Sequence, residues 1–341
     1  MSLDLPLFWA VVIAITVLMY VMLDGFDLGI GILFPFADTA ADRDVMMATV
    51  APVWDGNETW LVLGGTGLIA AFPFAFSALL PALYPPILLM LLALILRGVA
   101  FEFRLSGRRR GKAFWTAAFA AGSITATVAQ GLVLGGFIQG VTLRDGQFAG
   151  GVFDWLTPYS LLVAAGLVAG YALLGACWLI WRTEDELHGR ARRWAWIALL
   201  AVAGLLATVS LATLFVHPRV ALRWGYAAGH FDLARLARFS PIPILGAAGF
   251  VLTALGLRRK SHGWPFAGAV LMFLSGYLGL AAGFFPYIVP YQMTFRQAAN
   301  ADNALALLLA LGGVLLPIII GYGLWSYWIF RGKVGADAGY H

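Results

Sequence analysis

Long, unbroken apolar blocks organise this sequence, each approaching or exceeding the roughly 20 residues that an α-helix needs to cross a bilayer. Hydrocarbon offers no hydrogen bonds, so a crossing chain must satisfy its own backbone, as a helix or as a closed barrel. A barrel is written in short alternating segments, and the sequence has none. Charged residues make up 11% of the 341, about half the share of a soluble domain. The expectation is an all-α polytopic membrane protein, one integral membrane domain over residues 1–341. Nine helices are placed near 7–34, 47–72, 77–103, 113–138, 157–181, 194–216, 241–257, 264–285 and 303–330.

Basic residues predict the orientation. With the N-terminus outside, 15 of the 22 Lys and Arg fall in inside segments and 6 in outside ones; Arg97 lies within a block. That bias predicts N-out, C-in and an odd number of helices. The cations cluster in short links, so the +5 net charge points to topology and not to nucleic acid. The 217–240 link sets Leu233, Leu236 and Phe239 among Arg235 and Arg238, the pattern of a short amphipathic helix on the outer surface. Cys177 is the one cysteine; it reads as a buried, inert thiol and excludes an internal disulfide. The residues before Leu7 lack a basic region and the apolar run after it is long, so the first helix is expected to stay in the mature protein.

Two stretches place acids inside apolar blocks: Asp24 with Asp27, and Asp55 with Glu58. A spacing of three puts each pair on one helix face. An ionised carboxylate in hydrocarbon is costly, so these acids are expected to face protein. The topology brings Asp24, Asp27, Asp55, Glu58, Arg97 and Glu102 to overlapping depths in the inner half, with Arg97 as a counter-ion. One reading is a proton or cation route, with Asp55 foremost; it lies between Trp54 and Gly56, near Gly64, Gly65 and Gly67, which would admit a neighbouring helix. The other is an ion-pair network that locks helices together, which suits Asp27, Glu102 and Arg97 best.

Trp54 and Trp60 could line a flat slot for a quinone or lipid tail, against the commoner role of packing or interfacial residues. Pro85 and Pro86 mark a helix kink, and Pro286 to Pro290 a loop. The Gly-x-Gly elements at 29–31 and 65–67 are intramembrane, which argues against phosphate binding. The five histidines, His188, His217, His230, His262 and His341, all fall in predicted links or at the C-terminus. No metal site is expected, and no intramembrane histidine is offered to a haem or copper.

The motifs Asp24-Gly-Phe-Asp-Leu-Gly-Ile-Gly, Ala51-Pro-Val-Trp-Asp-Gly-Asn-Glu-Thr-Trp and Arg97-Gly-Val-Ala-Phe-Glu-Phe-Arg closely resemble subunit II of bacterial cytochrome bd-type quinol oxidases. Gly135-Gly-Phe-Ile-Gln-Gly, Asp154-Trp-Leu-Thr-Pro-Tyr-Ser, Trp181-Arg-Thr-Glu and Trp325-Ser-Tyr-Trp-Ile-Phe-Arg-Gly-Lys extend the resemblance across the chain. Asn57-Glu-Thr-Trp and the short C-terminus look like the cyanide-insensitive branch. The resemblance implies two four-helix bundles plus a peripheral helix in the bacterial plasma membrane. It implies a heterodimer with a haem-bearing subunit I, which carries two b-type haems, a third of b- or d-type, and the quinol site. The complex would oxidise quinol and reduce dioxygen to water, drawing protons from the cytoplasm without pumping. A small third subunit, bound lipid and a structural quinone belong to the same expectation. The family's proton-route acid falls on Asp55; Asp24, Asp27 and Arg97 match other polar positions. Residue chemistry alone also fits a stand-alone proton-coupled transporter or a purely structural scaffold, and the motif set favours the oxidase subunit.

Overall fold

The computed structural model describes residues 3–106, 109–227 and 230–335; Arg108 and His341, named or counted above, lie outside them. Among the described residues the helices are α1 (Leu5–Leu33), α2 (Ala40–Ala48), α3 (Trp54–Ala71), α4 (Pro73–Ser106), α5 (Arg109–Gln139), α6 (Pro158–Arg182), α7 (Asp185–Val216), α8 (Pro218–Arg223), α9 (Leu233–Phe239), α10 (Pro241–Arg258), α11 (Trp264–Phe284), α12 (Phe295–Ala298) and α13 (Asp302–Ile329). Three two-stranded hairpins join helices at the rim that carries the N-terminus. Helices start where the sequence supplies caps. Asp4 accepts from the Leu7 N–H just ahead of Pro6, and Thr157 with Ser160 forms a reciprocal capping box around Pro158.

Nine of these helices are long, and they pack as expected. α1, α3, α4 and α5 form one group of four, α6, α7, α10 and α11 a second, and α13 leans on α1 and α3. Eight of the nine are long and apolar enough to cross a membrane; α3 is the exception, because Asp55, Asn57 and Glu58 fill its first turns.

The expected helix at 47–72 is corrected. The structure divides it into α2, which lies at the inner rim, and α3, which starts only at Trp54. Pro52 lacks an N–H and disfavours helical backbone at Ala51, so the apolar run 49–53 forms turns. α7 starts at Asp185, nine residues before the expected 194, because the charged Asp185–Arg193 stretch is made largely of good helix formers. His188 therefore sits in the first turn of a long helix and not in a link. The 217–240 link holds two short helices, α8 and α9, around a hairpin, and Pro286 to Pro290 flank a strand of another hairpin. α4 stays helical through Pro81, Pro85 and Pro86.

α1 lies at the seam of the two groups, and its glycines set how deeply it can sit. A Cβ on Gly29 would stand 1.9 Å from the Tyr171 carbonyl oxygen, and one on Gly175 would stand 2.5 Å from the Gly29 carbonyl carbon. The backbones of α1 and α6 thus touch where neither has a side chain. A Cβ on Gly31 would lie 2.0 Å from Ser123 Oγ of α5. The close approach expected at Gly64, Gly65 and Gly67 occurs here instead. Gly64 and Gly67 face α1 at ordinary contact distance, and Gly65 faces open space. Gly29→Ala should lower the thermal stability of the purified protein by an amount typical of overpacking, about 1–3 kcal/mol. Gly65→Ala should leave it within about 0.5 kcal/mol. Equal melting of the two variants would contradict the crossing described.

Arginines hold the inner rim. Arg104 donates to Asp44 (2.7 Å) and to Thr116 (2.9 Å), and its guanidinium lies over Phe34 (5.0 Å). Lys112 donates to the other Asp44 oxygen at 2.8 Å, and Arg190 pairs with Asp38 and Asp42. Partial burial pushes the Asp44 carboxyl up, but the hydrogen bonds from Lys112 and Arg104 outweigh it and hold the group below its ordinary value. A carboxyl depressed in the fold stabilises it above its unfolded value and loses that contribution as pH falls through the folded one. Lowering the pH below about 4 should therefore raise amide exchange or protease cleavage within 40–48. Unchanged protection across that range would remove Asp44 as the clamp on α2.

Candidate functional site

Two turns of α4 separate Arg97 from Arg104, so both guanidiniums leave the same face of that helix. Arg104 reaches the rim; Arg97 is directed into the interior. Arg97 is 2% exposed and donates from Nη1 to Asp24 Oδ1 at 2.7 Å; Asp24 is 0% exposed. Its Nη2 lies 3.8 Å from Glu58 Oε2, and its guanidinium faces the Trp54 ring at 6.0 Å. The expected counter-ion thus bridges α1 and α3 from α4.

Asp27, one turn beyond Asp24 on α1, is buried as well. It accepts from Asn57 Nδ2 at 2.8 Å, and Asn57 Oδ1 accepts from the Tyr327 hydroxyl of α13 at 2.7 Å. A second polar file meets α1 one helical turn before Asp24. The Gln130 amide donates to Tyr20 Oη (2.5 Å) and accepts from Tyr171 Oη (2.9 Å), joining α5, α1 and α6. Asp24 and Glu58 therefore share one guanidinium, with the Asp27 carboxyl one helical turn away. Asp24 Oδ2, Asp27 Oδ1 and Arg97 Nη2 have no hydrogen-bond partner among the described residues.

Asp55 departs from expectation. It occupies the first turn of α3 and is exposed on this chain, because the helix starts at Trp54 and this side of its first turn is uncovered. Glu58, one turn on, is 26% exposed and reaches Arg97. Glu102 is exposed on α4. Trp54 stacks obliquely on Phe101 at 5.3 Å and lies against Gly98, whereas Trp60 is buried. Six residues on one helix turn these indoles about 120° apart, so they do not form two walls of one slot.

Sequence reasoning missed Asn57, Tyr327, Gln130, Tyr20 and Tyr171. Asn57 had a signal, an amide in an apolar block between two acids. The others pair across long sequence separations, and hydroxyl-bearing rings read as ordinary apolar content. It also gave the inner-rim cations only a topological role, although Asp38, Asp42 and Asp44 stand opposite them. Of the described histidines, His188 lies in the first turn of α7 with His262 5.1 Å away, His217 caps α8, and His230 is in a hairpin. Among the described residues no cluster of three or more His, Cys, Asp or Glu could hold a metal. Cys177 is buried, as expected.

A polytopic helical bundle with carboxyls gathered about one buried guanidinium defines an integral membrane protein with a charged cluster inside its spans. The sequence matches the model of the family Cytochrome bd terminal oxidase subunit II over residues 5–330. It is 29% identical over 344 residues to cytochrome bd ubiquinol oxidase subunit 2 of Bacillus subtilis, covering 96% of each chain. It is 27% identical over 356 residues to cytochrome bd-I ubiquinol oxidase subunit 2 of Escherichia coli, covering 96% of this chain and 94% of that one. The solved structure of bd oxidase from Geobacillus thermodenitrificans shares the fold, with a TM-score of 0.76, 18% identity, and coverage of 97% of this chain and 100% of that chain. The chain belongs to the subunit II family of cytochrome bd terminal quinol oxidases.

Removing Arg97 leaves Asp24 buried without a counter-charge, which costs about 3–5 kcal/mol. Arg97→Gln should therefore strongly reduce the folded protein recovered in mild detergent, and Asp24→Asn added to it should restore much of the yield. Equal loss in the single and double variants would refute the pairing as the cause.

Proposed function

We propose that this chain is the haem-free subunit of a bd-type oxidase that oxidises quinol and reduces dioxygen to water. In this reading it forms a heterodimer with a haem-bearing subunit I in the plasma membrane, supports its assembly, and admits protons from the cytoplasmic side without pumping. The described histidines lie at helix ends, in links and in a hairpin, a donor set that does not fit axial ligation within the membrane. That supports placing two b-type haems and a third, b- or d-type, on the partner. Those haems, when bound there, supply the electron chemistry. A small third subunit, a structural quinone and membership in the cyanide-insensitive branch remain part of the family reading. The domain assignment we propose is a single membrane unit over the whole chain. Family membership favours this reading over stand-alone proton-coupled transport.

One observation carries the proton role: exposure falls stepwise along acids that are one helical turn apart or joined through Arg97. Asp55 is open, Glu58 is 26% exposed, and Asp24 and Asp27 are buried around Arg97. A carboxyl at each stage can hold a proton and release it to the next. Asp24 Oδ2 and Asp27 Oδ1 can each accept one without breaking an existing hydrogen bond. Arg97 stays charged and sets how much negative charge the cluster tolerates. The Asn57 amide and the Tyr327 hydroxyl orient Asp27.

Asp55→Asn and Glu58→Gln should each slow quinol-dependent oxygen uptake by roughly a hundredfold or more, the low end of what a positioned proton-transfer group contributes. The haem absorption spectrum should be unchanged. Normal turnover in both variants would end the proton assignment. Lost haem bands would move these acids to assembly.

A further inference from the structure

The basic-residue bias has one concentrated exception: four arginines of the outer segments fall in the 217–240 link. The structure gathers three of them. Arg219, Arg223 and Arg235 line a cavity of about 260 Å³ with Leu222, Phe285 and Tyr287. Each guanidinium is fixed by the protein backbone. Arg219 donates to the Tyr291 carbonyl (2.8 Å) and lies over the Tyr287 ring (5.4 Å); Arg223 donates to the Ala282 carbonyl (3.0 Å); Arg235 donates to the Leu222 carbonyl (3.0 Å). These bonds use only some of each fork's N–H groups. Among the described residues the one acid paired with the set is Asp232, 3.2 Å from Arg235, and it also caps α9. Three preorganised guanidiniums against one carboxylate form a site for an anion, and Arg suits a phosphate oxygen pair best.

The surroundings specify the anion's source. The cavity lies where α11 ends at Phe284 and α10 begins at Pro241, at the level where spans meet headgroups. Leu222 and Phe285, which give it an apolar side, are both exposed, and on α9 beside it Leu233 is 74% exposed. An amphipathic helix of this kind lies in the plane of the interface. A free phosphate would gain nothing from the apolar wall, whereas a phospholipid would bury its glycerol and upper acyl carbons there. We propose that this cavity binds the phosphodiester headgroup of an anionic phospholipid in the outer leaflet, with Arg219, Arg223 and Arg235 on the phosphate.

The test is native mass spectrometry of the intact oxidase complex titrated in mild detergent with phosphatidylglycerol, phosphatidylcholine or inorganic phosphate. The wild type should retain one phosphatidylglycerol that phosphatidylcholine does not replace and millimolar phosphate does not displace. Arg219→Gln/Arg223→Gln/Arg235→Gln should lower that occupancy by roughly tenfold or more. Arg238→Gln, on α9 but not lining the cavity, should not. If the triple variant fails to assemble, Arg235→Gln alone should show a smaller loss in the same assay. Equal occupancy in wild type and variants, equal binding of the neutral lipid, or displacement by phosphate would each overturn the proposal. So would weakened subunit association with an unchanged lipid count, which would assign the arginines to a protein partner.

Discussion

The buried guanidinium of Arg97 is the constraint around which this molecule is arranged. It cannot be removed from water without carboxylates, and the carboxylates of α1 cannot be buried without it. Its bond to Asp24 ties α4 to α1, and its approach to Glu58 ties both to α3. Asn57 repeats the connection between α3 and α1 through Asp27. The glycine contact between Gly29 and Gly175 then brings α6 against the same stretch of α1. Polar pairing and backbone contact thus converge on residues 24–31, where every α1 residue is buried.

Much of this was legible. All the long helices but α3 follow from apolar length, and the three-residue acid spacing set Asp24 and Asp27 beside each other, with Arg97 the natural partner. What was illegible depends on information that hydrophobicity does not hold. Residues 49–53 are apolar enough to belong to a span, and only the backbone demands of Pro52 end the helix there. That displaced start left Asp55 in the open, although the surrounding residues suggested burial. The Gln130 contacts with Tyr20 and Tyr171 join separate helices, so no local pattern could announce them. The glycines presented the reverse problem. Gly64, Gly65 and Gly67 looked like a docking stripe, yet the backbones meet at Gly29 and Gly175, because depth of contact depends on both partners lacking a Cβ.

Basic residues show how a topological signal can acquire a second role. Arg104 and Arg190 belong to the inside excess that orients the chain, and orientation counts cations regardless of nearby acids. In the folded protein both are spoken for, Arg104 by Asp44 and Arg190 by Asp38 and Asp42. The link from Phe34 to Ala48 is thereby clamped between the ends of α4 and α7. It delivers the chain to Trp54 at a fixed place, which determines where the acids of α3 stand relative to Arg97.

The hydroxyl of Tyr327 closes the polar cluster from a helix that is otherwise largely outward-facing. It reaches Asn57 across 270 residues of sequence. A ribosome delivers α1, α3 and α4 early, so their charges meet while most of the chain between Asn57 and Tyr327 is still to come. The Tyr327 hydroxyl that donates to the Asn57 side-chain oxygen arrives only with α13. Completion of the amide's hydrogen bonding is therefore an event in time as well as a place in space: the last long helix to leave the translation machinery finishes what the first one began.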